Sequence, residues 1–217
     1  MACRPADRRE VFAATVPHLG LFLIAGADVQ KDRIEVDIWA WGRGRTSWLV
    51  EHIVIPGGPE DPAAWDKLTA LLGRTWVHER GAVMQLSKLA VDTGYEAPAV
   101  YAWSRAVGYA PVTPIKGLES FNRLSPVSGP TFVDATIGGK RLRRGARLWT
   151  IAVSTFKAET RNEPYLKLQP ATLYPHQRLL GPDKRRMYQI TIIGIRVHCK
   201  IGVSPVPMRG SSGFAAP

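Results

Sequence analysis

Asp28 and Asp92 are the residues best placed to do chemistry. Each closes an apolar, strand-like run: Leu19 to Ala27 stops at Asp28, and Met84 to Val91 stops at Asp92. A carboxylate at the end of a buried strand is held rigidly by the strand and offered to a substrate by the adjoining turn. Two such carboxylates close together repel unless a cation lies between them. Hard oxygen donors of this kind select Mg²⁺ or Mn²⁺. Ions held in that way serve phosphodiester cleavage by activating a water and stabilising the leaving oxygen. The spacing alone equally suits two turn-forming aspartates that cap local backbone N–H groups.

Gln30 and Thr93 sit beside these acids and are candidates to orient them. Lys116 and Lys157 each come after a strand-like run and are candidate phosphate contacts, or solvated loop lysines. Lys140, Arg141, Arg143, Arg144 and Arg147 form the densest basic run of the core. The whole chain of 217 residues carries a net charge of +11. A balance this basic points to a polyanionic partner, most simply DNA, with binding that weakens steeply in salt. Trp39, Trp41 and Trp48 fall in alternating strand patterns and read as packing residues rather than a base-stacking platform.

Other chemistries find no support. His18, His52, His78, His176 and His198 lack ligand spacing, and no Ser/His/Asp arrangement stands out. Cys3 and Cys199 form neither a zinc motif nor a disulfide framework and suit a reducing cytosol. Gly138-Gly139-Lys140 is succeeded by Arg141 and lacks the upstream glycine of a phosphate loop, so no ATP site is expected. Leu19 to Ala27 is far shorter than the roughly 20 apolar residues a membrane span requires, so no membrane partner is expected.

The acids need strands and helices to position them. Arg33 to Trp41 alternates, with Ile34, Val36, Ile38 and Ala40 on one face and Glu35, Asp37, Trp39 and Trp41 on the other. That is the pattern of a half-covered antiparallel strand. Ser47 to Ile55 predicts a third strand. Asp61-Pro62 predicts a helix start, an acid at the N-cap and proline at the first turn, and Gly73 closes that helix. Ala97 to Val107 predicts a second helix and Pro111 to Lys116 a short strand. Glu119 to Pro130 reads as loop, Lys140 to Arg147 as a basic cluster, Leu148 to Val153 as a strand, and Ser154 to Lys157 as a helix start.

An antiparallel meander and then helix, strand, helix, strand is an α/β order. It is the order of the RNase H-like fold, a mixed central sheet flanked by helices, in which the two acids would meet at one sheet edge. The expected organisation is an approach segment over 1–18, the α/β domain over 19–168, and a divergent, partly disordered tail over 169–217 whose end, Ser204 to Pro217, is rich in Gly, Ser and Pro.

Four collinear stretches carry a family resemblance: "GADVQKDRIEVDIWAWGRGRTSWLVEHIVIPGGPED", "AVDTGYEAPAVYAWSR", "VTPIKG" and "LWTIAVSTFKAE". In that order they resemble the endonuclease domain of the lambda-type phage terminase large subunit, the GpA family, over roughly residues 8 to 168. The resemblance implies a DNA-packaging enzyme in a bacterial host's cytoplasm. It implies Asp28 and Asp92 as metal ligands of a nuclease acting on double-stranded DNA. The terminase small subunit and the phage portal are then expected partners of the intact protein. The family often has an aspartate where Ser154 stands, and its last acid-bearing helix has no counterpart here; Glu159 and Asp183 are the nearest substitutes. These departures and the missing motor suggest a truncated prophage remnant, or a module that binds DNA or terminase partners without cutting. Another RNase H-like enzyme, a resolvase or transposase, is the third reading.

Overall fold

The computed structural model describes residues 14–43, 46–119 and 126–155. The elements in chain order are β1 (Thr15–Val16), β2 (Phe22–Val29), β3 (Arg33–Trp41), β4 (Ser47–Pro56), α1 (Pro62–Gly73), β5 (Thr75–His78), β6 (Val83–Asp92), α2 (Ala97–Val107), β7 (Val112–Leu118), β8 (Val127–Ile137) and β9 (Lys140–Ala152). The main sheet runs β4-β3-β2-β6-β7-β9-β8. β2, β3 and β4 pair antiparallel. β2, β6, β7 and β9 are mutually parallel neighbours, and β8 returns antiparallel along β9. β5 extends β6 as a short antiparallel partner, with β1 parallel beside it. This is the RNase H-like arrangement that the element order predicts.

Alternation along the strands divides the sheet into two faces. Leu23, Ala25 and Ala27 of β2, Ile34, Val36 and Ile38 of β3, and Leu89 and Val91 of β6 share one core with Leu68 of α1 and Val100 and Trp103 of α2. Each large apolar side chain buried there contributes about 1.5–3 kcal/mol relative to exposure. The helices are joined at that core by Trp103 Nε1, which donates to Thr69 Oγ1 at 2.9 Å, and by the Trp65 and Trp103 rings, 5.3 Å apart. The alternate residues, Ile24 and Asp28 of β2 and Ala90 and Asp92 of β6, therefore lie on the sheet face turned away from both helices.

Four expectations differ from the structure. β2 does not stop before Asp28; the ladder with β3 continues through Asp28↔Glu35 and Val29↔Ile34, so the acid lies within the strand. β3 is not half-covered: Asp37, Trp39 and Trp41 are all buried on its second face. Thr75–His78, one residue past the end of α1, form the short strand β5, which no expected element covers. The expected loop and basic cluster are a long hairpin, β8 and β9. Gly138 and Gly139, both at positive φ (57° and 74°), make its two-residue turn. The helix start at Ser154 is present as the single turn 153–155, and residues 156 onward lie outside the described residues.

Among the described residues no helix is long and apolar enough to cross a membrane. The α1 start has the expected geometry: Asp61 Oδ1 accepts the Ala63 N–H at 2.9 Å, with Pro62 in the first turn. Asp61→Ala should lower stability by about 1 kcal/mol in urea unfolding; an unchanged midpoint would show that the cap contributes nothing.

A carboxylate pair at the sheet edge

The parallel ladder between β2 and β6 ends with Ala27 opposite Val91. One step further, Asp28 stands beside Asp92 on the face turned away from α1 and α2. Neighbouring strands lie about 4.8 Å apart, so Asp28 and Asp92 occupy adjacent positions on one face at this sheet edge. Both are nearly buried, at 7% and 8% exposure. Gln30 Nε2 donates to Asp28 Oδ2 at 3.3 Å, and the Gly94 N–H donates to Asp92 Oδ1 at 3.2 Å. Thr93 does not serve as the orienting group for Asp92. Its N–H and its hydroxyl both donate to the Ile115 carbonyl at 2.9 Å, which fastens the turn after Asp92 to β7.

Sequence reasoning missed two further acids on the same face, because only the strand register reveals them. Glu35 is the cross-strand partner of Asp28. It is engaged by Arg33, whose Nε donates to Glu35 Oε1 at 2.7 Å, and that bond raises the guanidinium pKa above its ordinary value. Asp37 lies opposite Gly26 and is fully buried; its Oδ1 is 2.6 Å from His52 Nδ1, and its Oδ2 has no partner among the described residues. Ser154 is buried and donates to Glu119 Oε2 at 3.0 Å. Among the described residues no group of three or more His, Cys, Asp or Glu converges to hold a metal. Two neighbouring carboxylates still match Mg²⁺, which is commonly held by one or two carboxylates with water completing its shell.

The basic candidates fall apart from the acids. Lys116 is exposed within β7, one residue past Ile115, the partner of Asp92; strand alternation sends it to the opposite face. Lys157, Glu159 and Asp183 lie outside the described residues. Lys140, Arg141, Arg143, Arg144 and Arg147 are exposed along β9. Asp134 organises part of this row: its Oδ1 accepts the Arg144 N–H and its Oδ2 accepts Arg141 Nη2, each at 3.0 Å. The Arg144 N–H first, and then Arg141, hold the Asp134 carboxyl below the usual aspartate range. On the far side of this sheet edge, a cleft of about 390 Å³ is lined by Lys31, Glu60, Asp61, Tyr95 and Glu96 among others. With one cation against three carboxylates, that side repels a phosphate backbone, whereas the β8–β9 side attracts one.

The strand order gives an RNase H-like arrangement. The chain belongs to the family described as "Terminase large subunit gpA, endonuclease domain", which matches residues 2–173. It is 34% identical over 158 residues to the terminase large subunit of Escherichia phage lambda, and 29% identical over 152 residues to that of Enterobacteria phage P21. Those matches cover 72% and 70% of this chain but only 23% and 22% of the relatives' length. Among solved structures, Thermus thermophilus RuvC overlaps 44% of this chain and 62% of its own, at 20% identity and a TM-score of 0.30. T. thermophilus RuvC in complex with a Holliday junction substrate gives 18% identity, 44% and 63% coverage and the same TM-score, 0.30.

Because its folded pKa is depressed, Asp134 stabilises the hairpin above the ordinary value of 3.8, and that support fades as pH falls through the lower, folded value. Amide exchange should therefore show the Arg144 N–H protected near neutrality and released by Asp134→Ala. Equal exchange in the two proteins would contradict the assignment.

Proposed function

We propose that this domain cuts DNA phosphodiester bonds as the endonuclease of a phage DNA-packaging terminase, with Asp28 and Asp92 as the shared ligands of a divalent cation, Mg²⁺ or Mn²⁺. The observation that carries the proposal is the register of β2 against β6, which brings two nearly buried aspartates to adjacent positions on one face. Repulsion between them favours a bound cation. When bound, that cation supplies the Lewis acidity that phosphodiester hydrolysis needs. The chain's own residues do the positioning. Gln30 fixes the Asp28 carboxylate, the Gly94 N–H fixes Asp92, and Thr93 pins the intervening turn.

Double-stranded DNA is the substrate, drawn by the net charge of +11 and by Lys140, Arg141, Arg143 and Arg144 on β9. Lys157 is an auxiliary phosphate contact in this reading, whereas Lys116, on the opposite face from the acids, is not. In a complete large subunit the small subunit and the portal are the packaging partners, and the bacterial cytoplasm is the working compartment. A second reading, DNA binding without cleavage, draws on the lack of a third converging ligand among the described residues.

Nicking of supercoiled plasmid by the full chain with Mn²⁺ or Mg²⁺ separates the two. Cleavage should fall at least about 100-fold in Asp28→Asn and in Asp92→Asn, and about tenfold in Gln30→Ala, an outer-sphere partner. Cleavage that survives both aspartate changes would overturn the assignment. DNA retention without cleavage by the unaltered chain would establish the second reading.

A further inference from the structure

The β8–β9 hairpin carries more than positive charge. Arg144 Cζ lies 4.9 Å from the centre of the Phe132 ring, and Arg147 Cζ lies 5.7 Å from the same ring. Arg147 Cζ also lies 5.3 Å from the Tyr109 ring. The order Tyr109, Arg147, Phe132, Arg144 is a ladder in which rings and guanidinium groups alternate. Phe132 is 49% exposed, on the strand at the edge of the sheet. Among the described residues neither the Arg144 nor the Arg147 guanidinium forms a salt bridge, unlike that of Arg141 with Asp134; Arg144 meets Asp134 through its backbone N–H alone.

The ladder is fastened from beneath. The Arg147 N–H donates to the Tyr109 hydroxyl at 3.2 Å. Buried Lys88 donates its ammonium to the Tyr109 and Ala110 carbonyls, and burial pushes its pKa down. Arg105 Nη1 of α2 donates to the Gly145 carbonyl at 2.8 Å, and a Cβ on Gly145 would meet Leu142 Cβ at 2.8 Å. Arg144 is held in the left-handed region, at φ 52°. A flexible pair of arginines shielding an exposed ring would need none of this bracing.

We infer that the Tyr109–Arg147–Phe132–Arg144 ladder is a stacking site for unpaired nucleobases, so that the domain binds single-stranded DNA next to the duplex it cuts. Duplex DNA hides its base faces, whereas an unpaired strand offers both a planar ring and a phosphate. An exposed ring braced by cations without acidic partners matches both features. The position fits as well. Phe132 pairs with Arg147, two residues before Trp149, which pairs with Ile115, the partner of Asp92. The ladder thus shares the face of Asp28 and Asp92. Strand spacing and rise put Arg147 roughly 12 Å and Phe132 roughly 16 Å from Asp92. A strand frayed at the acids spans that gap in a few nucleotides. The inference rests on the nuclease reading for what it implies about cutting, but the binding is measurable alone.

The test titrates the Asp28→Asn chain at fixed salt. The probes are a blunt duplex, the same duplex with a short single-stranded overhang, and the overhang strand, with 2-aminopurine as the fluorescent base. The overhang should tighten binding roughly tenfold and quench the 2-aminopurine, as base–aromatic stacking does. Phe132→Ala should abolish both effects and leave the blunt duplex unchanged, and Phe132→Trp should restore them. Unchanged thermal melts of both variants by circular dichroism would show that the hairpin persists. An overhang gain that survives Phe132→Ala, or an equal loss on blunt duplex, would overturn the inference. Should plasmid cleavage fail while the Phe132-dependent overhang gain holds, the nuclease reading falls and the ladder stands.

Discussion

The parallel pairing of β2 with β6 is the constraint on which the rest of the structure depends. Parallel neighbours require a crossover, which α1 and β5 supply. The register is fixed by apolar residues: Ala25 and Ala27 of β2 and Leu89 and Val91 of β6 are all buried under the helices. A slip of one residue would move that whole set to the other face and carry one aspartate into the helix-covered core. Hydrophobic packing on one side of the sheet therefore decides where the charges sit on the other.

The sheet face turned away from α1 and α2 is divided by charge. Asp28 and Asp92 stand at its middle strands; Glu35 beside them is engaged by Arg33, and Asp37 by His52. Cations are gathered on β9, two strands away from β6, and acids line the cleft on the far side. A polyanion approaching this edge is guided over β7, β9 and β8 rather than over β3 and β4. The hairpin thus completes a surface whose centre is the carboxylate pair.

Much of this is legible in the sequence. Period-two alternation marks β3, the Asp61-Pro62 signal marks α1, and α2 spans the expected Ala97–Val107. Asp28 and Asp92 are visible because each interrupts an apolar run. The β8–β9 hairpin is harder to see because Gly138-Gly139 reads first as a failed phosphate loop, although paired glycines between strand residues also specify a tight hairpin turn. β5 is hidden because its four residues begin one residue past the end of α1. Glu35, Asp37, Phe132 and Tyr109 carry no local signal; their proximity to the acids or to the arginines exists only once the strands are in register. Lys116 misleads for the converse reason: it is near Asp92 along the edge, but on the alternate face.

The central claim is that Asp28 and Asp92 hold one cation between them. Titration of the full chain with Mn²⁺, monitored by loss of the free-ion electron paramagnetic resonance signal, tests it without recourse to DNA or cleavage. The account predicts a saturable Mn²⁺ site that Mg²⁺ displaces and that either Asp28→Asn or Asp92→Asn abolishes. Identical Mn²⁺ binding by the unaltered chain and by both variants would contradict it.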